Sequence, residues 1–296
     1  MDGAATQRWR LDLAYDGSSF QGFALQPHHD TVVGLFREIL ASTLRLDEAP
    51  YVVGAGRTDT GVHALAQVIH FDLPERVLSK DDPVRVRKIL RGLNAQFQGR
   101  IQVTRATPVR SDFDARRSAT WREYRYLVVP TRLPTLTLAQ HWAWPVEGPL
   151  NVEAMNEAAA RLVGEHDFRA FCRRAVDTSP DDPIVRKLMS ASWCAYRDEL
   201  ELTVGRAPLV KFTIRAQSFC HRMVRSLTST LVAVGRGALD VDEITTRLSN
   251  HRRDFLPPPA PAAGLALAGV GYADADGGTA GAYEEFAPRA IASIAP

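Results

Sequence analysis

Residues 51–73 read Tyr51-Val52-Val53-Gly54-Ala55-Gly56-Arg57-Thr58-Asp59-Thr60-Gly61-Val62-His63-Ala64-Leu65-Ala66-Gln67-Val68-Ile69-His70-Phe71-Asp72-Leu73. The apolar runs 51–53 and 67–73 predict a short strand and a longer one. Between them lie three glycines with a guanidinium, a carboxylate and an imidazole. Glycine lets backbone take positive φ or approach a ligand closely. A loop carried on two strands is a rigid platform for functional groups.

Working outward, residues 32–46 carry Val33, Leu35, Phe36, Ile39, Leu40 and Leu44 at helical spacing. Residues 8–16 alternate Leu11, Leu13 and Tyr15 against Asp12 and Ala14 as a strand does, and 16–19 form a turn. Beyond the quoted stretch, Asp82-Pro83 is an N-cap with proline at N1, opening a helix to about residue 96. Residues 101–106 are another strand, which completes β-α-β-β-α-β.

A second such series follows. Strands are expected at 120–129, 185–195, 199–204, 209–216 and 265–272, with an Asn151-capped helix to about 163 and a helix over 221–234. Asp240 with Glu243 reads as a capping box for a short helix, and the proline-rich 256–263 as irregular. The expectation is an α+β fold of two ferredoxin-like halves with mainly antiparallel sheets, helices on one face and an active-site cleft between the halves. The divisions are 1–108, carrying the glycine-rich loop, 109–273, and an acidic, flexible tail at 274–296.

Composition narrows the class. The chain has 296 residues, 45% hydrophobic and 24% charged, which excludes a mostly disordered chain and a coiled-coil rod. No apolar run approaches the ~20 residues that span a bilayer, and residues 1–10 hold no signal-peptide core, so a cytoplasmic protein is expected. Cys172, Cys194 and Cys220 form no CxxC pair, so neither a zinc site nor a disulfide framework is expected. Only four of 36 basic residues are lysine, against a net charge of +2. The arginines gather at 105–132 and 206–253, a distribution suited to a groove for a polyanion.

The loop 54–64 is not a P-loop, because no Gly-Lys-Ser/Thr follows, and Asp59 occupies the third glycine position of a dinucleotide fingerprint. A metal reading would use Asp59, His63, His70 and Asp72, whose spacing matches no HExxH-like set. The loop instead resembles the catalytic loop of the TruA-type tRNA pseudouridine synthases, close to GxGRTDxGVHA. The likeness extends from about residue 8 to 272: Tyr15-Asp16-Gly17-Ser18; residues 112–120 followed by Tyr124-Arg125-Tyr126; Gly164-Glu165-His166-Asp167-Phe168 with Phe171; Phe219 with Met223-Val224-Arg225; and Gly264-Leu265-Ala266-Leu267. It departs at Phe23, Ala24, Val33, Arg222 and Ser226, where Trp, Arg, Gln, His and Asn are common.

The resemblance implies conversion of uridine to pseudouridine at positions 38, 39 and 40 of the tRNA anticodon stem-loop, by a homodimer holding tRNA across both subunits and using no cofactor or metal. Asp59 matches the essential aspartate, which can attack C1′, attack C6 or assist removal of a sugar proton. Arg225 matches the arginine that pairs with it, and Tyr124 the tyrosine that stacks on the base, whose hydroxyl can also help remove the C5 proton. On the expected helix Arg222 and Arg225 share a side. Arg57, Thr58, His63, Arg222 and Leu265 are further candidates for substrate binding. His63 is equally a loop-stabilising hydrogen-bonder, and Leu265 equally a core strand residue. The alternatives are a catalytically inactive RNA-binding module of the same fold and a metal-dependent hydrolase.

Overall fold

The computed structural model describes residues 5–131, 139–173, 179, 182–196, 209–254, 256–273 and 280–281. The first half runs β1 (Thr6–Tyr15), α1 (Val32–Leu44), β2 (Val53–Gly54), β3 (His63–Pro74), α2 (Pro83–Phe97) and β4 (Ile101–Val109). The second runs β5 (Trp121–Thr131), β6 (Trp144–Glu147), α3 (Val152–Ala160), β7 (Gly164–Asp167), β8 (Val185–Tyr196), β9 (Leu209–Ala216), α4 (Met223–Gly235), α5 (Glu243–Asn250) and β10 (Leu265–Gly271), and β11 (Ala280–Gly281) follows. The helix starts follow the caps: Thr31, Asp82 and Asn151 each accept a backbone N–H three residues on.

In the first half the order is β4-β1-β3, with β2 on β3, and every pairing is antiparallel. In the second the order is β10-β5-β9-β8-β7, again antiparallel. The two series join by the parallel pairing of β10 with β3, Ala266 opposite His63 and Leu267 opposite Ala64. The described strands thus form one eleven-stranded sheet, in which the two halves abut at a single seam. The brevity of β2 allows this. It pairs only with His70 and Ile69, leaving the start of β3 open to β10.

The first half of the sheet is covered on both faces. Phe36 of α1 packs on Phe71 of β3 and stacks on Phe97 of α2. On the opposite face Arg10 bonds Asp12 at 2.8 Å and lies over the Tyr272 ring. There His70 meets Phe113 edge-on, and its Nδ1 accepts the Ala115 N–H. Burial, then the Arg8 charge, hold His70 below the ordinary histidine value, which keeps that nitrogen an acceptor. In the second half both backbone groups of Trp193 are held by the Asn156 amide, fixing α3 on β8.

Four expectations need comment. α4 begins at Met223, so Arg222 precedes the helix, in the left-handed region at φ 62°, instead of sharing a helical side with Arg225. No capping box forms at Asp240: α5 starts at Glu243 after Asp242, and Glu243 pairs with Arg247 one turn on. Cys172 and Cys220, 48 residues apart, are joined as a disulfide with Cα atoms 5.8 Å apart, against the expectation of none. Linear spacing carries no signal for a pair that the fold alone brings together. The strand expected at 199–204 lies outside the described residues, as does the tail apart from 280–281.

The turn after β1 has no room for a side chain. A Cβ on Gly17 would overlap the Val62 carbonyl, which is backbone and cannot swing aside. Gly17→Ala is expected to cost about 1–3 kcal/mol, the range for overpacking, read as a fall of several degrees in Tm by calorimetry. An unchanged Tm would show that the contact between the turn and the start of β3 is slack.

Candidate active site

The loop from β2 to β3 is tied down residue by residue. Ala55 N–H bonds Val68, the Gln67 amide donates to Gly56 O at 2.8 Å, and Phe23 N–H holds Thr58 O. Tyr15 OH and Thr58 Oγ1 are 2.8 Å apart, both buried. Gly61 turns the chain at φ 78°. With the backbone fixed, Asp59 is left at a cavity of about 500 Å³ that opens where the two halves meet.

The opposite wall comes from β5, the 217–222 segment and α4. Arg225 Nη1 donates to Asp59 Oδ2 at 3.4 Å, and His221 Nε2 lies 3.4 Å from Asp59 Oδ1. Both contacts are long for hydrogen bonds, so the carboxylate keeps capacity to act on a substrate. Arg225 is positioned from elsewhere: its Nε donates to Ala260 O at 2.6 Å, and its own carbonyl accepts the Ala260 N–H.

Arg122 and Tyr124 project from β5 onto the cavity side, as strand alternation predicts. Arg122 is buried and donates only to carbonyls: Ala55, Ala119, Gln217 and Arg116. It ties the Asp59 loop, the 116–119 turn and the segment before α4 into one wall. Burial pulls its pKa below the ordinary arginine value, yet a guanidinium keeps its proton at neutral pH. Tyr124 is 8% exposed and packs edge-on against Phe219 at 5.2 Å. Burial, then the neighbouring Tyr15 and the Asp59 charge, push its pKa up, so it remains a phenol. Its hydroxyl has no partner among the described residues.

The structure therefore brings together Asp59, Tyr124, Arg225, Arg57, Arg222 and Leu265 at one cavity. Arg57 is exposed and unpaired among the described residues. Arg222 holds a left-handed backbone with its Nε buried and unpartnered. Thr58 also reaches the wall, but its hydroxyl is engaged by Tyr15. His63 stands apart from the cavity: its Nδ1 is 3.1 Å from both Gly17 N–H and Asp16 Oδ1, the loop-stabilising position. Sequence reasoning did not select His221, Arg122 or Arg116 as site residues. No motif marks them, although Arg116 and Arg122 stand in and beside the 112–120 signature. The lining holds five arginines against the single carboxylate of Asp59, a site built for a polyanion. Among the described residues no group of three or more His, Cys, Asp and Glu converges on a metal position.

A family model described as tRNA pseudouridine synthase matches residues 158–273. The chain is 40% identical over 269 residues to tRNA pseudouridine synthase A of Frankia casuarinae, covering 90% of this chain and 89% of the relative. To the proteins of the same name from Bordetella petrii and Cutibacterium acnes it is 39% and 37% identical, over 90% of this chain and 91% and 88% of theirs. The chain belongs to the tRNA pseudouridine synthase A family.

The tyrosine beneath the loop gives a pH test. Burial pushes Tyr15 up to about 12, only partly offset by the bonds from Thr58 and Gln67. Below pH 10 folded and unfolded chains both hold this proton. Between pH 10 and about 12 the unfolded chain releases it first, so stability falls by up to about 1.4 kcal/mol per pH unit. Urea titrations at pH 8, 10 and 11.5 are expected to give Tyr15→Phe an unfolding free energy lower by about 1–2 kcal/mol at pH 8, for the lost bonds, with a shallower alkaline decline. Parallel declines would remove Tyr15 from the titration.

Proposed function

We propose that this enzyme isomerises uridine to pseudouridine at positions 38, 39 and 40 of the tRNA anticodon stem-loop. The observation that carries the reading is Asp59, the cavity's one carboxylate, held against Arg225 and His221 beside Tyr124. The reaction breaks the N1–C1′ bond, turns the uracil, joins C5 to C1′ and moves the C5 proton. It needs neither a redox partner nor a group donor, so no cofactor is invoked.

The residues divide the work by chemistry. The Asp59 carboxylate attacks C1′ or C6, or assists removal of a sugar proton as uracil departs. The Arg225 guanidinium and the His221 ring flank its two oxygens, each at 3.4 Å, and hold it facing the cavity. Tyr124 offers a ring face for stacking, worth about 1–3 kcal/mol per base, and a free hydroxyl for the proton at C5. Leu265, 5% exposed at the cavity, supplies apolar contact to the ring. Leaving the helical stack costs the target nucleotide a few kcal/mol. Phosphate contacts from Arg57, Arg116 and Arg222 offset that cost.

We further infer that each half is ferredoxin-like. The orders β4-β1-β3-β2 and β10-β5-β9-β8 support this, the first following βαββαβ connectivity and the second the same with β6, β7 and α5 added. A boundary near residue 108 separates them. The family likeness also supports a homodimer binding tRNA across both subunits, and a cytoplasmic enzyme. Among the described residues no helix is long and apolar enough to cross a membrane.

Tritium release from C5-labelled uridine in unmodified tRNA, with EDTA present, tests the reaction. The wild type is expected to release tritium and Asp59→Asn to lose release by about 10³-fold or more, the scale for removing a reacting group. Equal release by both would keep the reaction and overturn the role of Asp59. A second pair separates the two uses of Tyr124. Tyr124→Phe keeps the ring and is expected to lower kcat more than it raises KM. Tyr124→Ala is expected to worsen both, KM by about tenfold, as loss of a stacked base implies.

A further inference from the structure

The wall of the cavity is tied by a covalent bond that takes no part in the bond changes of the isomerisation. Cys220 lies in the cavity lining, one residue after Phe219, which packs on Tyr124, and one before His221, which faces Asp59. Its sulfur is bonded to that of Cys172, which is 2% exposed and follows the turn after β7. The Cys172 segment is anchored by Arg253, which donates to Cys172 O at 3.0 Å, and it meets the 217–222 stretch directly where Arg173 N–H donates to His221 O at 2.9 Å. The disulfide therefore joins an anchored, buried segment to the short stretch that presents two groups to the reacting residues.

We propose that Cys172 and Cys220 are positioning residues whose disulfide holds segment 217–222 in its catalytic geometry, and that thiol–disulfide exchange with a low-molecular-weight thiol releases it. The two sulfurs are unequal. Cys220 is half-buried at the cavity, whereas Cys172 is closed off, so an incoming thiolate attacks Cys220 Sγ. The S–S bond breaks, Cys172 leaves as thiolate, and a mixed disulfide stands on Cys220 inside the cavity. A second thiolate takes up that adduct as the small-molecule disulfide, leaving two protein thiols that carry the protons the two reagent thiols gave up. Because attack comes through the cavity, bound tRNA shields the bond. The shielding and the catalytic effect rest on the synthase reading, whereas the clamp itself does not.

The full chain would be equilibrated in dithiothreitol buffers of defined potential and followed in two ways. Alkylation and mass analysis, with amide exchange across 217–223, report the bond and the order of the segment without any assay of activity. Tritium release from C5-labelled tRNA reports turnover. The expected result is one two-electron midpoint shared by all readouts. Across it, exchange should slow tenfold or more on oxidation, and kcat should rise threefold or more with little change in KM. Cys172→Ala/Cys220→Ala should show the reduced values at every potential, and saturating tRNA should slow reduction of the wild type severalfold. Two free thiols at every potential, or turnover and exchange indifferent to the bond, would overturn the proposal. Absence of tritium release at every potential would count against the synthase reading, and the exchange difference would still decide the clamp.

Discussion

Two residue pairs between parallel strands, Ala266 with His63 and Leu267 with Ala64, hold the working parts of this molecule in register. Asp59 belongs to the first half; Tyr124, His221 and Arg225 belong to the second. Successive side chains on a strand point to opposite faces, so a slip of one residue at this seam would turn Leu267 away from the cavity side. It would also shift the loop ahead of β3 by about 3.3 Å against the wall that faces it. The seam is short because β2 occupies the other end of β3, and β2 is short because the chain leaves it for the glycine-rich loop at once. Loop and seam thus arise from one feature of the sequence, a strand cut off at Gly54.

A junction of so few pairs needs support, and Arg122 supplies it. A buried cation is costly unless every donor is used. Here the guanidinium is spent on carbonyls from Ala55 in the first half, and from Arg116, Ala119 and Gln217 in the second. Carbonyl partners satisfy the donors without cancelling the charge. The residue that joins the halves therefore also leaves positive potential in the cavity, where a polyanion gains most from it. Arg225 follows the same pattern, held by Ala260 and left with Nη1 for Asp59. Backbone anchoring thus fixes two of the five arginines that line a cavity with a single carboxylate.

Much of this was legible because the deciding signals are local. The cap residues Thr31, Asp82 and Asn151 bond within three residues of themselves, and the alternation of Arg122, Tyr124 and Tyr126 fixes a face wherever the strand lies. What stayed hidden depends on distant partners. The Cys172–Cys220 bond, the contact of His221 with Asp59 and the parallel seam are properties of the assembled sheet, and no spacing encodes them. Arg222 shows a third case. The apolar periodicity of α4 runs back far enough to include it, but a left-handed residue ends the helix at Met223, and periodicity of side chains does not report a backbone dihedral.

The repeated plan also explains why the site is lopsided. The first strand of each half carries a buried tyrosine facing the seam: Tyr15 on β1 and Tyr124 on β5. Burial raises the pKa of both, so each remains a neutral phenol. Their partners differ. Tyr15 meets Thr58 and Gln67 and braces the loop from below, so its hydroxyl is spent on structure. Tyr124 lies across the seam from that loop, where Gly56 leaves open space, and its hydroxyl faces the cavity. A side chain at Gly56 would come within van der Waals contact of that oxygen, at 3.6 Å. Two like residues have been divided between bracing the loop and facing the cavity, and the difference between them is set by which side of the seam the loop occupies.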